Sequence, residues 1–252
     1  ENMPQDTTTD ESGTSTKGIK AGGSMYLNGG TYQIDSADDS IHSNANITIA
    51  DGTYTLATGD DGVHADDALI VNGGTITVTE SYEGLEGLTV TINDGTIDIT
   101  ASDDGINTAG EKMELNGGYI HILAGGDGLD SNGDLRITGG VTYVAGPTSG
   151  ADSALDCNGE AEISGGTFAA TGTVGMASTF GDSSTQASML IALSPDSTPC
   201  TITVLDADGT ELFSWDSTKN FSSVQFSSPE LEQGAAYTVT AGSNSAEVTL
   251  DT

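Results

Sequence analysis

The feature that most limits how this chain can fold is a repeat. Between Lys17 and about Gly172 the second glycine of each Gly-Gly or Asp-Gly pair falls at Gly30, Gly52, Gly74, Gly95, Gly118, Gly140 and Gly166, with spacings of 22, 22, 21, 23, 22 and 26. A fixed period of this length means stacked supersecondary units. Each unit runs acid, Gly or Ser, aliphatic, then a short strand such as ITI or LIV, a glycine turn, and a second strand such as TYTL, TITV or TIDI. Alternation with period two puts Ile47, Ile49, Leu69, Val71, Val90 and Ile92 on one side. Tyr54, Leu56, Ile76, Val78, Ile97 and Ile99 face the same interior, and Thr53, Thr75 and Thr96 point outward. One such unit cannot bury its apolar side alone, but coils stacked in register can. The expected fold is all-β: a right-handed parallel β-helix of about seven ~22-residue coils rising by the strand spacing of ~4.8 Å. The glycines mark sharp bends, where a positive φ is expected at one of Gly73 and Gly74.

Outside the repeat, residues 1–16 have almost no apolar content and read as a disordered acidic tether. Residues 173–252 lose the period. The run CTITVLDADGTELFSW reads as a hairpin, FSSVQFSS as a strand and AYTVTAGSNSAEVTL as a second hairpin. A small antiparallel β cap over the open end of the solenoid follows, since an uncapped end exposes unpaired strand edges. Phe213, Trp215, Phe221 and Phe226 are expected to form its core. Cys157 and Cys200 make no metal-type spacing and are expected as two small buried side chains.

The chain carries 38 acidic residues against 5 basic ones, a formal charge of −33. Phosphate backbones and anionic lipids both need clustered Lys and Arg, so nucleic acid is excluded as a partner. With 35% hydrophobic residues the chain can still bury a core. No apolar run approaches the ~20 residues of a transmembrane helix.

Stacking turns sequence columns into physical rows. One column holds Asp39, Asp61, Glu83, Asp104, Asp127 and Asp152, with Asp38, Asp60 and Asp103 preceding three of them. Three positions on, a second column holds Lys20, His42, His64, Glu86, Asn107 and Asp130, with Asp156 joining after a one-residue shift. Two like charges ~4.8 Å apart at an effective dielectric of ~20 repel by about 3 to 4 kcal/mol, and several such rungs rival a domain's whole stability of ~5 to 15 kcal/mol. Only Lys17, Lys20, Lys112 and Arg136 are basic in the repeat, too few to neutralise the row. A hard divalent cation taking six to eight oxygens would do so. The expected metal site is a row of Ca2+ ions between coils on Asp38, Asp39, Asp60, Asp61, Glu83, Asp103, Asp104 and Asp127. His42, His64, Glu86 and Asp130 are the expected substrate contacts. The competing reading is acids in solvated turns, screened by water and sodium.

The run ITIADGTYTLATGDDGVHADDALIVNGGTITVTESYEGLEG, with INDGTIDITASDDGINTAG, LNGGYIHILAGGDGLDSNG, GPTSGADSALD and ISGGTFAATG, resembles the bacterial carbohydrate-binding domain-containing β-helix proteins, a family related to the family-nine polysaccharide lyases that act on pectate. The resemblance covers roughly residues 17–172. It implies a secreted or cell-surface protein, extracellular or surface-anchored, that binds calcium and an acidic plant polysaccharide such as polygalacturonate, with cellulose as a further ligand class. The family's calcium-facing acids map onto Asp38, Asp39, Asp60, Asp61, Glu83, Asp103, Asp104 and Asp127. Lys17-Gly18 replaces the acid pair in the first coil, which falls outside the row.

A non-catalytic, monomeric binding protein is the first expectation. The alternative is a calcium-dependent pectate lyase acting by β-elimination, which needs a base; Lys20, His42 and His64 are the candidates. A structural adhesin stalk is the third.

Overall fold

The computed structural model describes residues 15–250 and contains strands and turns without a helix. The predicted tether, residues 1–16, lies outside the described residues except for its last two positions. The repeat forms a parallel β-solenoid of about seven turns. Each coil contributes strand to three faces. The first face is the shortest, with three-residue rungs such as Ile19–Ala21, Ile41–Ser43, Leu129–Ser131 and Leu155–Cys157. The second and third faces carry the two strands readable in the repeat. In the early coils these run together as Met25–Ser36 and Ile47–Thr58, and later they separate, as in Asp134–Ile137 and Val141–Ala145.

Register is uninterrupted through the stack. On the first face Ile19, Ile41, Val63, Leu85, Ile106, Leu129 and Leu155 lie one above another. On the second, Met25, Ile47, Leu69, Val90, Met113, Leu135 and Ala161 do so. The third stacks Tyr32, Tyr54, Ile76, Ile97, Ile120, Thr142 and Phe168. The alternating aliphatics predicted to point inward are fully buried there, and they make one continuous core. Each such side chain contributes roughly 1.5 to 3 kcal/mol by leaving water.

Two kinds of glycine make the coil possible. All seven repeat glycines have positive φ, including Gly74 at 90°, and no other residue type does. A second set follows the acidic column. At Gly84 a Cβ would stand 2.3 Å from the Gly105 carbonyl oxygen and 2.4 Å from Ile99 Cγ2. The acid-glycine pair is therefore a packing requirement between coils as well as a turn.

The C-terminal segment closes the end of the stack. Phe221–Ser227 pairs antiparallel with Thr167–Gly172, the last rung of the third face, and Ser188–Ser197 pairs with its other edge. Gly181, Thr185 and Gln186 donate backbone hydrogen bonds to Ala161 and Ile163, the last rung of the second face. A separate four-stranded antiparallel sheet contains the two predicted hairpins, Thr201–Leu205 with Glu211–Asp216 and Ala236–Ala241 with Asn244–Thr249. Phe221 and Phe226 are buried in the cap's own core, and the half-buried Phe213 and Trp215 pack against it. Phe213 also stacks on Tyr143 of the solenoid, with ring centroids 5.9 Å apart. Cys157 and Cys200 are free thiols, half-buried rather than buried as expected.

Gly84→Ala should cost about 1 to 3 kcal/mol, the usual cost of forcing a methyl into a packed site, measured by urea denaturation. Gly23→Ala, where a Cβ would meet nothing within 4 Å, should leave the midpoint unchanged. Equal behaviour of the two variants would refute the inter-coil contact.

Candidate functional site

The first face carries the polar columns along one flank of the solenoid. Strand register places Lys20, His42, His64, Glu86, Asn107, Asp130 and Asp156 in one row, as the spacing predicted. The acidic column needs one correction. Backbone bonds run from Gly62 to Glu83, Gly84 to Asp104, Gly105 to Asp127 and Gly128 to Ser153. Ser153, not Asp152, therefore follows Asp127. The extra residues of the longest repeat are absorbed before position 153, and Asp156 needs no shift.

The same pattern, from Gly18 to Asp39, puts Lys17 at the head of the acidic column. Its ammonium lies 2.9 Å from Asp38 Oδ1 and 2.5 Å from Asp39 Oδ2. The first coil thus contributes a cation to the row. The expectation that Lys and Arg leave the row without a counter-charge fails at this end, where one lysine serves two carboxylates.

The backbone serves the next ones. Asp39 Oδ1 accepts the N–H of Asp61 and Asp61 Oδ1 that of Glu83, each at 3.3 Å. Asp104 Oδ1 accepts from Asp127 at 2.7 Å, and Asp127 Oδ1 from Ser153 at 2.5 Å. Each carboxylate takes the amide of the residue above it in its own column. Glu83, with a longer side chain, is met by Asn107 Nδ2 at 3.1 and 3.0 Å from its two oxygens.

The acids and histidines predicted from the sequence fall into five convergent groups, each with ligand atoms within 4.8 Å of one another. These are Asp39–His42–His64, Asp61–His64–Glu86, Asp38–Asp39–Asp60, Glu83–Asp103–Asp104 and Asp104–Asp127–Asp130. Shared members link several of them along the flank.

Electrostatics divide the row into two parts. Near Lys17, burial would raise Asp39, but hydrogen bonds from His42 and Lys17 outweigh it and hold its pKa at about 2. Burial would likewise lower His64, yet the carboxylates of Asp61 and Glu86, at 3.0 and 2.8 Å from Nδ1, push it up to about 11. One imidazolium cannot compensate both acids: Glu86 is lowered by it, while Asp61 is raised by burial and by the charge of Glu86. Further along no cation is at hand. Burial first, and neighbouring carboxylates second, raise Glu83 and bring Asp104, Asp127 and Asp130 from 3.8 to about 7.

Within this cation-poor part lies the clearest sign of an incomplete site. Asn107 is 3% exposed, its amide nitrogen is occupied by Glu83, and its Oδ1 has no hydrogen-bond partner. Its column neighbours Glu86 and Asp130 are carboxylates, which accept and do not donate when ionised. A buried oxygen left this way costs about 1 to 3 kcal/mol. Hard oxygen donors from Glu83, Asp103, Asp104, Asn107, Asp127 and Asp130 suit a Ca2+ ion.

Four participants were not identified from the sequence: Lys17 as counter-ion, the Asn107 carbonyl, the backbone amides, and Asp66, whose Oδ1 lies 3.6 Å from Nε2 of both His42 and His64. For Asp66 a signal existed. The spacing His64-Ala65-Asp66 puts both polar side chains on one side of a strand.

These shifts predict an inverted pH dependence in chelator. A carboxyl raised by folding contributes stability fully below its unfolded value, here 3.8, and loses it as pH rises through about 7. His64, also raised, contributes fully below 6.5 and loses its share only as pH climbs toward about 11. Asp39 runs oppositely, but its loss falls between 3.8 and about 2. The melting temperature in EDTA should therefore fall from pH 5 to pH 8; a flat or rising profile by calorimetry would contradict this electrostatic description.

Among known proteins, the chain matches the family described as carbohydrate-binding domain-containing protein over residues 2–62 and 60–175. No curated protein and no solved structure matches it. The matched segments span more than half the chain, including nearly all of the solenoid and the whole acidic row from Asp38 to Asp156, and the chain belongs to this carbohydrate-binding domain-containing family.

Proposed function

We propose that this protein is a non-catalytic, extracellular or cell-surface binder of an acidic polysaccharide such as polygalacturonate, and that Ca2+ ions on the acidic row make the contact. What supports this most directly is the orphaned Asn107 Oδ1 among Glu83, Asp104, Asp127 and Asp130. The row is short of positive charge where the lysine and the histidine have run out. A cation there would relieve the raised carboxyls and give the amide oxygen a partner.

The same ions resolve a conflict of charge. A chain at −33 repels a polyuronate. A bound Ca2+ with coordination positions left for solvent or ligand joins protein carboxylate to sugar carboxylate. His64, Glu86 and Asp130, half-buried on the same flank, stand beside such ions and are the side chains a bound saccharide would meet. His42, buried at 3% exposure, would act from beneath.

Lyase chemistry is the second reading. Proton abstraction next to a uronate carboxylate needs a neutral base near pH 7 to 9. His64 is held protonated by two carboxylates and is poorly suited. Lys20 is exposed, at the edge of the row.

In a pull-down with insoluble polygalacturonate, binding in millimolar Ca2+ should be lost in EDTA. Glu83→Gln with Asp104→Asn should reduce Ca2+ uptake by at least tenfold, read by calorimetry. Incubation with soluble polygalacturonate should give no rise in absorbance from unsaturated product, and a steady rise would replace the binder by the lyase. Calcium-independent retention on the polysaccharide would overturn the bridging role.

A further inference from the structure

The N-terminal end of the row has a different donor chemistry from the rest. His42 and His64 are on adjacent rungs, ring centroids 5.0 Å apart. His42 Nδ1 lies 2.7 Å from Asp39 Oδ2. With Asp39 ionised, an acceptor-only carboxylate fixes this contact as N–H to oxygen, so in the neutral ring Nε2 carries the lone pair. His64 repeats the arrangement, its Nδ1 facing Asp61 and Glu86.

Both Nε2 atoms then point to the same acceptor, Asp66 Oδ1, at 3.6 Å each. That is longer than a hydrogen bond. It is close to the ~3.3 Å edge of a coordination tetrahedron whose metal–ligand bonds are ~2.0 to 2.1 Å. Asp66 is held from outside the site by Asn44 Nδ2, 3.2 Å from its Oδ2, and its side chain is 42% exposed, so the position opens to solvent.

We infer that His42 Nε2, His64 Nε2 and the Asp66 carboxylate form a site for a borderline transition-metal dication, Zn2+ in the first instance. The carboxylates of Asp39, Asp61 and Glu86 act as the outer partners that orient the two rings. Two imidazoles and one carboxylate are a donor set that zinc prefers and calcium does not. An outer carboxylate on the remaining ring N–H is the usual means of fixing such ligands. A fourth position faces solvent. The site is separate from the calcium reading, which rests on the all-oxygen stretch from Glu83 to Asp130.

The chain suits a clean test, because its third histidine, His121, lies on another face, 3.0 Å from Asp98. Zn2+ titrated calorimetrically into the full chain in saturating Ca2+ should bind at one equivalent with micromolar or tighter affinity. Bound Co2+ should give visible d–d absorption with the intensity of low coordination number. His42→Gln and Asp66→Asn should each weaken zinc at least tenfold, Asp39→Asn by about tenfold, and His121→Gln not at all. Asp66 is exposed, so its variant is expected to fold, and far-UV circular dichroism checks all four. Ca2+ uptake on the same proteins should be unchanged in His42→Gln and Asp66→Asn, which separates failure here from failure of the calcium reading. Absence of zinc binding, zinc uptake unaffected by His42→Gln and Asp66→Asn, or displacement of zinc by millimolar Ca2+ would each overturn the assignment.

Discussion

Everything in this molecule depends on one constraint, the in-register backbone pairing that stacks each coil on the next at ~4.8 Å. Whatever side chain occupies a position is brought against its counterpart in the neighbouring coils. Aliphatic rows gain from this, since each buried rung covers the next. Amide rows also gain. At the corner after the second face, Asn93 donates to Asn72 at 2.8 Å, Asn116 to Asn93 at 2.9 Å, and Thr138 ends the series on Asn116 at 2.8 Å. An amide has both a donor and an acceptor and so propagates along a stack.

Carboxylates have no donor, and the same geometry works against them. The fold answers by turning the coil so that the amide above each of several acids points at its oxygen, and by ending the row at Lys17. Backbone dipoles and one ammonium do not balance so many acids, and the excess appears where those partners end. Asn107 shows the mismatch in a single residue. In the corner row its Oδ1 would accept from another amide; between Glu86 and Asp130 it has nothing to accept from.

Much of this was legible in the sequence because a solenoid maps period onto space almost without distortion. The core faces, the glycines with positive φ and the row from His42 to Asp130 follow from counting residues. Counting failed where length changed. The extra residues before Ser153 moved Asp152 out of the column, and no residue type announces where a turn absorbs an insertion. It failed again for contacts set by side-chain reach. Lys17 was read as a departure from the acidic pattern, when its long stem is what brings a charge onto Asp38 and Asp39. The first face was also faint, since a three-residue rung such as Ile41–Ser43 has one polar position and too little length to show alternation.

Constant geometry with varying side chains has a consequence for chemistry. The backbone offers the same spacing at every rung, so what each position can hold is decided by donor type alone. Two imidazoles lie near the lysine, and oxygens alone follow from Glu83 onward. Replacing one residue in a column exchanges a nitrogen for an oxygen without moving the neighbours, because the strand beneath is held by the coils on either side. A scaffold of this kind can alter which ions it accepts, and through them which polyanion it retains, by substitutions that leave the buried aliphatic rows untouched.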